Sequence, residues 1–328
     1  VARAGYKDAV IRQKGLWTQI VKPWPEGMDE WPQPDHDPGC SSVSSDQFVR
    51  PPNSVQWITG YPVRHETGPN PVLSTNGRIF ASYSDKGLVA RDAFNGTKLW
   101  QRKGATALIA TGDKLFARLE KLGPLVILDA RTGKTIKTYS FGGSDKPWPP
   151  LSRLAYHDGV LLTGIREVIE AYDAESGKQL WSKRIAGETH RPFSKLALYQ
   201  DINKKRIIGE GKVFLTLAEK KEFLCLDLKT GEEVWRVSTQ GDRLVCYRQG
   251  ILLSQYIGEG DKIVGNAAYS ARDGSLLWRY DYRRVWHGGS PHNVFLLNGL
   301  VWMNASVPAE DVPYTKEHQT WHGLNPDT

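Results

Sequence analysis

Four segments of the chain carry histidine, arginine, glutamate or tryptophan, side chains that suit the binding of a polar ligand. Imidazoles and carboxylates can ligate a metal ion or act as acid and base, and arginine can hold an anionic group. Tryptophan can offer a stacking face to a sugar ring. The candidate residues are Arg64, His65, Glu66, Trp148, His190, Arg191, Arg284, Trp286, His287 and His292.

No fixed-spacing motif joins these residues, so their chemistry depends on whether the fold brings the four segments together. The same side chains can also serve as ordinary loop residues that cap strand ends and hydrogen-bond the backbone. The segments therefore leave three readings open: a binding site, a catalytic site, or neither. No metal site is assigned.

Two other groups of possible ligands carry less weight. In Asp35-His36-Asp37 neighbouring side chains of an extended segment point in opposite directions, so we interpret the triplet as a solvated loop. Cys40, Cys225 and Cys246 form no CxxC or adjacent pair, which excludes a zinc knuckle. The last two lie in apolar runs and are expected to be small buried hydrophobes rather than a disulfide.

A recurrent turn motif predicts the elements that position the four segments. Copies of Asp-Ala-x-Thr-Gly-x-x-x-Trp begin at Asp92, Asp129, Asp173, Asp227 and Ser270. The aspartate can accept hydrogen bonds from turn amides, and the glycine supplies the positive φ that reverses the chain. The tryptophan on the returning strand offers an apolar face to a neighbouring sheet. The motif therefore predicts a hairpin in every copy.

The repeat predicts an all-β fold, a β-propeller of four-stranded antiparallel blades. The copies start 37 to 55 residues apart, around the period of about 40–45 residues of a propeller blade. Alternating apolar runs between copies supply two further strands per unit. About six blades are visible, and the connections from outer to inner strands should gather the four segments on one funnel face. A sandwich or an open array of hairpins is the alternative.

The limits of the repeat set the expected domain boundaries. Residues 1–45 are predicted to be an extension or linker to an upstream domain, and residues 46–328 an incomplete propeller. The run Ser54–Trp57 matches an outer strand with no strands of its own blade before it, so we expect it to complete the last blade. Asn325–Thr328 matches the start of a sixth copy, so we expect glycine to follow and the ring to be truncated at the C-terminus.

The turn motif resembles the repeat of the pyrroloquinoline-quinone (PQQ) β-propeller superfamily, the quinoprotein alcohol dehydrogenase-like proteins. Residues 22–31 and 46–57 are similar to segments of a PQQ-like repeat subgroup that is abundant in planctomycete-type bacteria. The resemblance covers roughly residues 20–328. It implies a propeller-type repeat protein and favours a periplasmic or secreted location.

The resemblance alone does not fix the function, because the superfamily contains catalysts and non-catalytic scaffolds. A quinoprotein dehydrogenase of this fold would hold the quinone over two adjacent cysteines, bind calcium through oxygen ligands and use an aspartate as base. This chain has no adjacent cysteines and no Asp or Glu in a matching motif. PQQ with calcium is therefore not expected, and no cofactor is assigned.

The favoured function is a non-enzymatic binding scaffold whose funnel face takes a polar small molecule, a glycan or a protein partner. One alternative is a carbohydrate-active enzyme with a His/Arg site at the propeller mouth, and whether a metal assists that site is left open. The other is a PQQ-dependent oxidoreductase. Nucleic acid is not an expected partner, because the basic residues behind the net charge of +7 are scattered. No apolar run approaches the roughly 18 residues of a membrane span.

Overall fold

The computed structural model describes residues 10–21, 25–51, 53–58, 72–83, 87–119, 124–139, 154–165, 168–185, 206–217, 220–257, 263–283, 294–306 and 319–324. These residues form strands, turns and loops, and none of them lies in a helix. Within these ranges the chain therefore has no helix with the length and apolar character needed to cross a bilayer.

The described strands pair antiparallel, in chain order, into one hairpin and six sheets. The hairpin contains β1 (Val10–Lys14) and β2 (Trp17–Val21). Sheet 1 contains β3 (Leu73–Thr75), β4 (Arg78–Tyr83), β5 (Gly87–Asp92) and β6 (Lys98–Arg102). Sheet 2 contains β7 (Ala105–Thr111), β8 (Lys114–Leu119), β9 (Leu125–Asp129) and β10 (Thr135–Thr138). Sheet 3 contains β11 (Ala155–His157), β12 (Val160–Ile165), β13 (Val168–Asp173) and β14 (Gln179–Arg184).

The remaining three sheets follow the same order. Sheet 4 contains β15 (Ile207–Gly209), β16 (Lys212–Leu217), β17 (Glu222–Asp227) and β18 (Glu233–Ser238). Sheet 5 contains β19 (Arg243–Arg248), β20 (Ile251–Ile257), β21 (Ile263–Ser270) and β22 (Leu276–Arg283). Sheet 6 has three described strands, β23 (Val294–Leu297), β24 (Leu300–Ser306) and β25 (Gln319–Leu324). The predicted unit of four antiparallel strands is thus confirmed in five sheets.

The recurrent motif forms the turn between the third and fourth strands. In sheet 4, Asp227 Oδ1 accepts hydrogen bonds from the backbone amides of Lys229 at 2.9 Å and Thr230 at 2.8 Å. Gly231 follows at φ +72°, a conformation that costs glycine little and other residues more. Side chain and backbone therefore act in the turn as the sequence predicts.

An aromatic side chain at or near the end of one repeat packs on this turn of the next sheet. Trp181 of sheet 3 donates its indole N–H to the carbonyl of Leu228 in sheet 4 at 2.9 Å. A Cβ added to Gly231 would lie 2.6 Å from Trp181 Cδ2, so glycine also makes room for the ring. The equivalent pairs are Trp57 with Ala93, Trp100 with Ala130, Tyr139 with Ala174, and Trp235 with Ala271.

The hydrophobic core lies between successive sheets, and sheets 2 to 5 are covered on both faces. In β16, Val213 and Leu215 pack with Leu162 of sheet 3, while the intervening Phe214 packs with Leu252 of sheet 5. Other buried clusters join sheets 1 and 2, sheets 2 and 3, and sheets 5 and 6. The strict alternation of the strand thus connects the sheets into one series.

The first strands of five sheets converge on one short segment, which shows that the series is radial. Residues 31–39 hydrogen-bond the free edges of β3, β7, β11, β15 and β19. Nine extended residues reach at most about 30 Å, whereas five sheets stacked flat at about 10 Å intervals span about 40 Å. The predicted all-β propeller is confirmed, and the flat alternatives do not fit.

The role of Ser54–Trp57 in closing the ring stays a prediction. The indole of Trp57 contacts sheet 1 as a tryptophan from a preceding sheet would, with its N–H 3.0 Å from the carbonyl of Ala93. Residues 53–58 are not in a strand. The domain boundary at residue 46 also stays a prediction.

Replacing Gly231 with alanine should destabilise the protein more than replacing Gly211 with alanine. Both glycines have positive φ, but an added Cβ meets Trp181 only at Gly231 and nothing within 4 Å at Gly211. We expect backbone strain of about 1–2 kcal/mol in G211A and about 1–3 kcal/mol more in G231A, because the ring must move. Urea unfolding of the two variants measures this difference, and equal midpoints would contradict the packing.

Cys225 should resist alkylation in the folded protein. Its side chain is buried in the core between sheets 4 and 5, and burial raises the pKa of its thiol to about 12. At pH 8 we expect iodoacetamide to modify the partly exposed Cys40 first, because only the thiolate reacts. Peptide mapping with and without urea tests this, and equal rates at Cys40 and Cys225 without urea would be inconsistent with the core.

Candidate functional site

The two ends of the sheets differ in what they carry. At the turn face of sheets 1 to 5 the first strand turns into the second, at Asn76, Gly112, Asp158, Glu210 and Gln249. At the opposite end, the connection face, each fourth strand leads to the first strand of the next sheet. The connection face is the funnel face of the sequence prediction.

All ten predicted site residues lie outside the described residues: Arg64, His65, Glu66, Trp148, His190, Arg191, Arg284, Trp286, His287 and His292. Strand order nevertheless fixes where the chain leaves and re-enters the described sheets. The strand ends at Thr138, Arg184 and Arg283 lie at the connection face. Whether the candidate side chains meet there stays a prediction.

The turn face is occupied by a loop that the sequence did not predict. Residues 27–47, the axial loop, have their ends joined by a 2.9 Å hydrogen bond from the amide of Gln47 to the carbonyl of Gly27. The loop's carbonyls accept the edge amides of the first strands at 2.7–2.8 Å: Ser74 to Trp31, Ala110 to Pro32, Ile208 to Pro38, and Tyr247 to Gly39.

Sheet 3 is held by a side chain of the axial loop instead of a carbonyl. The Gln33 side chain accepts the amide of Tyr156 at 2.9 Å and donates to its carbonyl at 2.8 Å. Sheet edges that are left unpaired can pair with other chains. The loop hydrogen-bonds the edges of five first strands and therefore protects them from such pairing. A cleft of 280 Å³ remains between the loop and sheets 2 and 3, lined by residues that include Glu30, Gln33 and His157.

The axial loop contains a buried histidine between two carboxylates. His36 is 8% exposed, with Nε2 2.8 Å from Asp29 and Nδ1 3.0 Å from Asp37. The interpretation of Asp35-His36-Asp37 as a solvated loop was wrong for His36. One of its two carboxylate partners is Asp29, outside the triplet, so no local spacing indicated that contact.

Buried arginines near the connection face were also missed by sequence reasoning. Arg118 of β8 is 1% exposed and Arg206, just before β15, is 4% exposed. Burial lowers the pKa of Arg118 from its ordinary value. Gly164 leaves room for Arg206, since an added Cβ would lie 2.7 Å from its Nη2. A charge inside the apolar run Leu115-Phe116-Ala117-Arg118 was the available signal.

A second buried polar group lies between sheets 4 and 5. The Asp242 side chain is fully buried. Its Oδ2 forms an ion pair with Arg279 Nη2 at 2.7 Å and accepts a hydrogen bond from the Tyr269 hydroxyl at 2.9 Å. Arg279 also lies over the ring of Tyr256 at 4.4 Å. Burial and the nearby Asp242 charge raise the pKa of Tyr269 above its usual range. This group fixes the start of β19 at the connection face.

The described residues do not fit a quinone site. Cys225 and Cys246 are buried and unpaired by disulfides, and they pack in different cores, one between sheets 4 and 5 and one between sheets 5 and 6. The prediction that both are small buried hydrophobes is confirmed. Within the described ranges, no cluster of three or more His, Cys, Asp or Glu side chains is placed to hold one metal ion.

Known proteins share the repeat and the fold. Two quinohemoprotein alcohol dehydrogenases of Pseudomonas putida are similar in sequence. ADH-IIG is 27% identical over 38% of this chain and 18% of its own length. ADH IIB is 25% identical over 49% of this chain and 24% of its own length. This chain thus spans less than a quarter of those relatives. The structure of a quinohemoprotein alcohol dehydrogenase from Comamonas testosteroni has a TM-score of 0.52 at 15% identity, covering 86% of this chain and 58% of that one.

One family profile covers most of the repeat region. It is described as outer membrane protein assembly factor BamB and matches residues 51–141 and 143–285. The resemblance to PQQ-like repeat proteins is thereby confirmed, while the planctomycete-type subgroup stays a prediction. The chain belongs to this PQQ-repeat β-propeller family.

Proposed function

We propose that this propeller is a non-enzymatic binding module whose connection face takes a polar small molecule, a glycan or a protein partner. The axial loop is the observation that carries the proposal. It covers the inner strand edges at the turn face, so the connection face is the end of the axis that it leaves free. Binding residues commonly lie on loops that a rigid scaffold positions around an opening, as at the mouths of β-barrels.

The unequal connections support the same face. The chain runs from Arg102 directly into Ala105 between sheets 1 and 2, but from Arg184 to Ile207 between sheets 3 and 4. Long connections in compact domains commonly carry function. The longer ones contain Trp148, His190, Arg191, Arg284, Trp286, His287 and His292.

Positive charge near this face favours a ligand with carboxylate or other anionic groups. Arg118 and Arg206 are buried close to the strand ends there, and three candidate residues on the connections, Arg64, Arg191 and Arg284, are also arginines. Arginine binds carboxylate and phosphate through paired hydrogen bonds. The BamB description of the family adds support for a protein partner.

A quinone-dependent oxidoreductase is the second candidate, favoured by the similarity to the quinohemoprotein dehydrogenases. The cysteine positions argue against it in this segment.

The carbohydrate-active alternative differs from the scaffold in one observable. An enzyme requires turnover that depends on His190 and His287, whereas a scaffold has no turnover.

Site-specific photo-crosslinking should capture a partner at the connection face. A photoreactive phenylalanine at His190 is expected to give a discrete product in an extract of the native cells, competed away by unlabelled protein. The matched position is Lys229, which is exposed on a turn between third and fourth strands at the other end of its sheet. Replacing Arg191 and Arg284 with alanine should reduce the yield at His190. Equal yields at the two positions would contradict the proposal.

Addition of PQQ with Ca²⁺ should produce no saturable change in absorption. We expect this because the chain lacks the adjacent cysteines that would support the quinone. A quinohemoprotein dehydrogenase stripped of quinone is the positive control for the titration. Stoichiometric quinone binding would replace the binding-module proposal by the oxidoreductase.

A further inference from the structure

The hydrogen bonds around His36 require more protons than a neutral imidazole has. Its two nitrogens face Asp29 and Asp37 at 2.8 and 3.0 Å. Ionised carboxylates only accept hydrogen bonds, and a neutral imidazole has one N–H. Only the imidazolium can donate to both, so the geometry fits the protonated ring.

Both carboxylates are held as acceptors by other groups. Asp29 Oδ2 also accepts the Ser44 hydroxyl at 2.9 Å and the Ser45 amide at 2.5 Å, and Asp37 accepts the Ser41 hydroxyl. Burial raises the pKa of Asp29 and of Asp37, but these donors and His36 outweigh burial and leave both pKa values below their usual range. Burial lowers the pKa of His36, but the two carboxylates outweigh it and leave that pKa raised.

The other charged groups around the cluster have separate contacts. Arg248 of β19 donates to the carbonyl of Val43 at 2.9 Å and reaches the Ser41 hydroxyl at 3.4 Å. Glu30 accepts the Thr75 hydroxyl and the Asn76 amide. The Trp31 ring meets the imidazole edge-on at 5.0 Å. Asp35, next in the chain to His36, adds a third carboxylate nearby.

The cluster holds a strained reversal of the axial loop. Asp35 and His36 have φ values of +61° and +79°, a region that disfavours residues other than glycine. The reversal separates Trp31, Pro32 and Gln33, which bind sheets 1 to 3, from Pro38 and Gly39, which bind sheets 4 and 5. The ion pairs of His36 therefore offset strain at the point that joins the two halves of the loop.

We propose that the axial loop is a proton-dependent latch, in which protonated His36 holds the loop on all five sheets and its deprotonation frees the half that binds sheets 4 and 5. The latch would open one end of the propeller axis. This inference does not depend on the proposed function of the opposite face.

The sign of the pH dependence follows from the raised pKa of His36. The stabilisation is fully present below the ordinary histidine pKa of about 6.5 and is lost as pH rises through the higher value in the folded protein. The carboxylates act in the opposite sense, since their lowered pKa values remove stability only under acid conditions. The latch should therefore open on the alkaline side.

Residue-resolved amide hydrogen exchange on the whole chain tests the latch. Protection factors, corrected for the intrinsic pH dependence of exchange, should fall with rising pH at Ile208 and Tyr247 by up to about tenfold per pH unit, the limit when one proton controls opening. The central-strand amide of Leu224 should not change. Protection at Ile208 and Tyr247 that is independent of pH would overturn the proposal.

The variant His36→Gln removes the charge and should give low, pH-independent protection at Ile208 and Tyr247. His157→Gln, at the end of β11 and outside the cluster, is the matched control and should retain the wild-type response. A His36→Gln variant with wild-type protection would overturn the latch. If that variant does not fold, NMR titration of His36 in the wild-type protein decides: a pKa below about 6.5 contradicts the latch and a higher one supports it.

Discussion

The contact between an aromatic side chain on one sheet and the turn of the next organises this propeller. Each such contact combines a large aromatic ring, one hydrogen bond to a turn carbonyl and a glycine that leaves space for the ring, as between Trp181, Leu228 and Gly231. The turn geometry, set by an aspartate, is thus also the docking surface for the neighbouring sheet. Local and tertiary structure depend on the same few residues, which makes the repeat self-consistent.

Radial packing brings the unpaired edges of the first strands together at the axis. Those edges need hydrogen-bond partners, and the axial loop supplies them at the turn face. One end of the axis therefore serves structure, while the other is left to the connections between sheets. This difference between the two ends directs the functional proposal to the connection face. The His36 cluster lies at the turn face, where the axial loop binds the sheets.

The sequence predicted the parts of the fold that are encoded locally. The Asp-Gly turns, the four-stranded unit and the burial of Cys225 follow from spacing and alternation. Tyr139 was missed because the second copy has Lys137 where the others have tryptophan. The tyrosine, two residues later, makes the hydrogen bond to the turn of the next sheet. The axial loop was missed because it binds mainly through backbone carbonyls, which any sequence possesses. His36 was misjudged because one of its two partners is a carboxylate seven residues away.

The central claim is that five sheets surround one axis and share one loop. Nuclear Overhauser contacts from the amide protons of Ser74, Ala110, Tyr156, Ile208 and Tyr247 to protons of residues 31–39 test it most directly in the monomeric protein. The radial arrangement predicts contacts from all five amides at once. Contacts from only one or two neighbouring sheets would contradict the shared loop and, with it, the assignment of the free end of the axis.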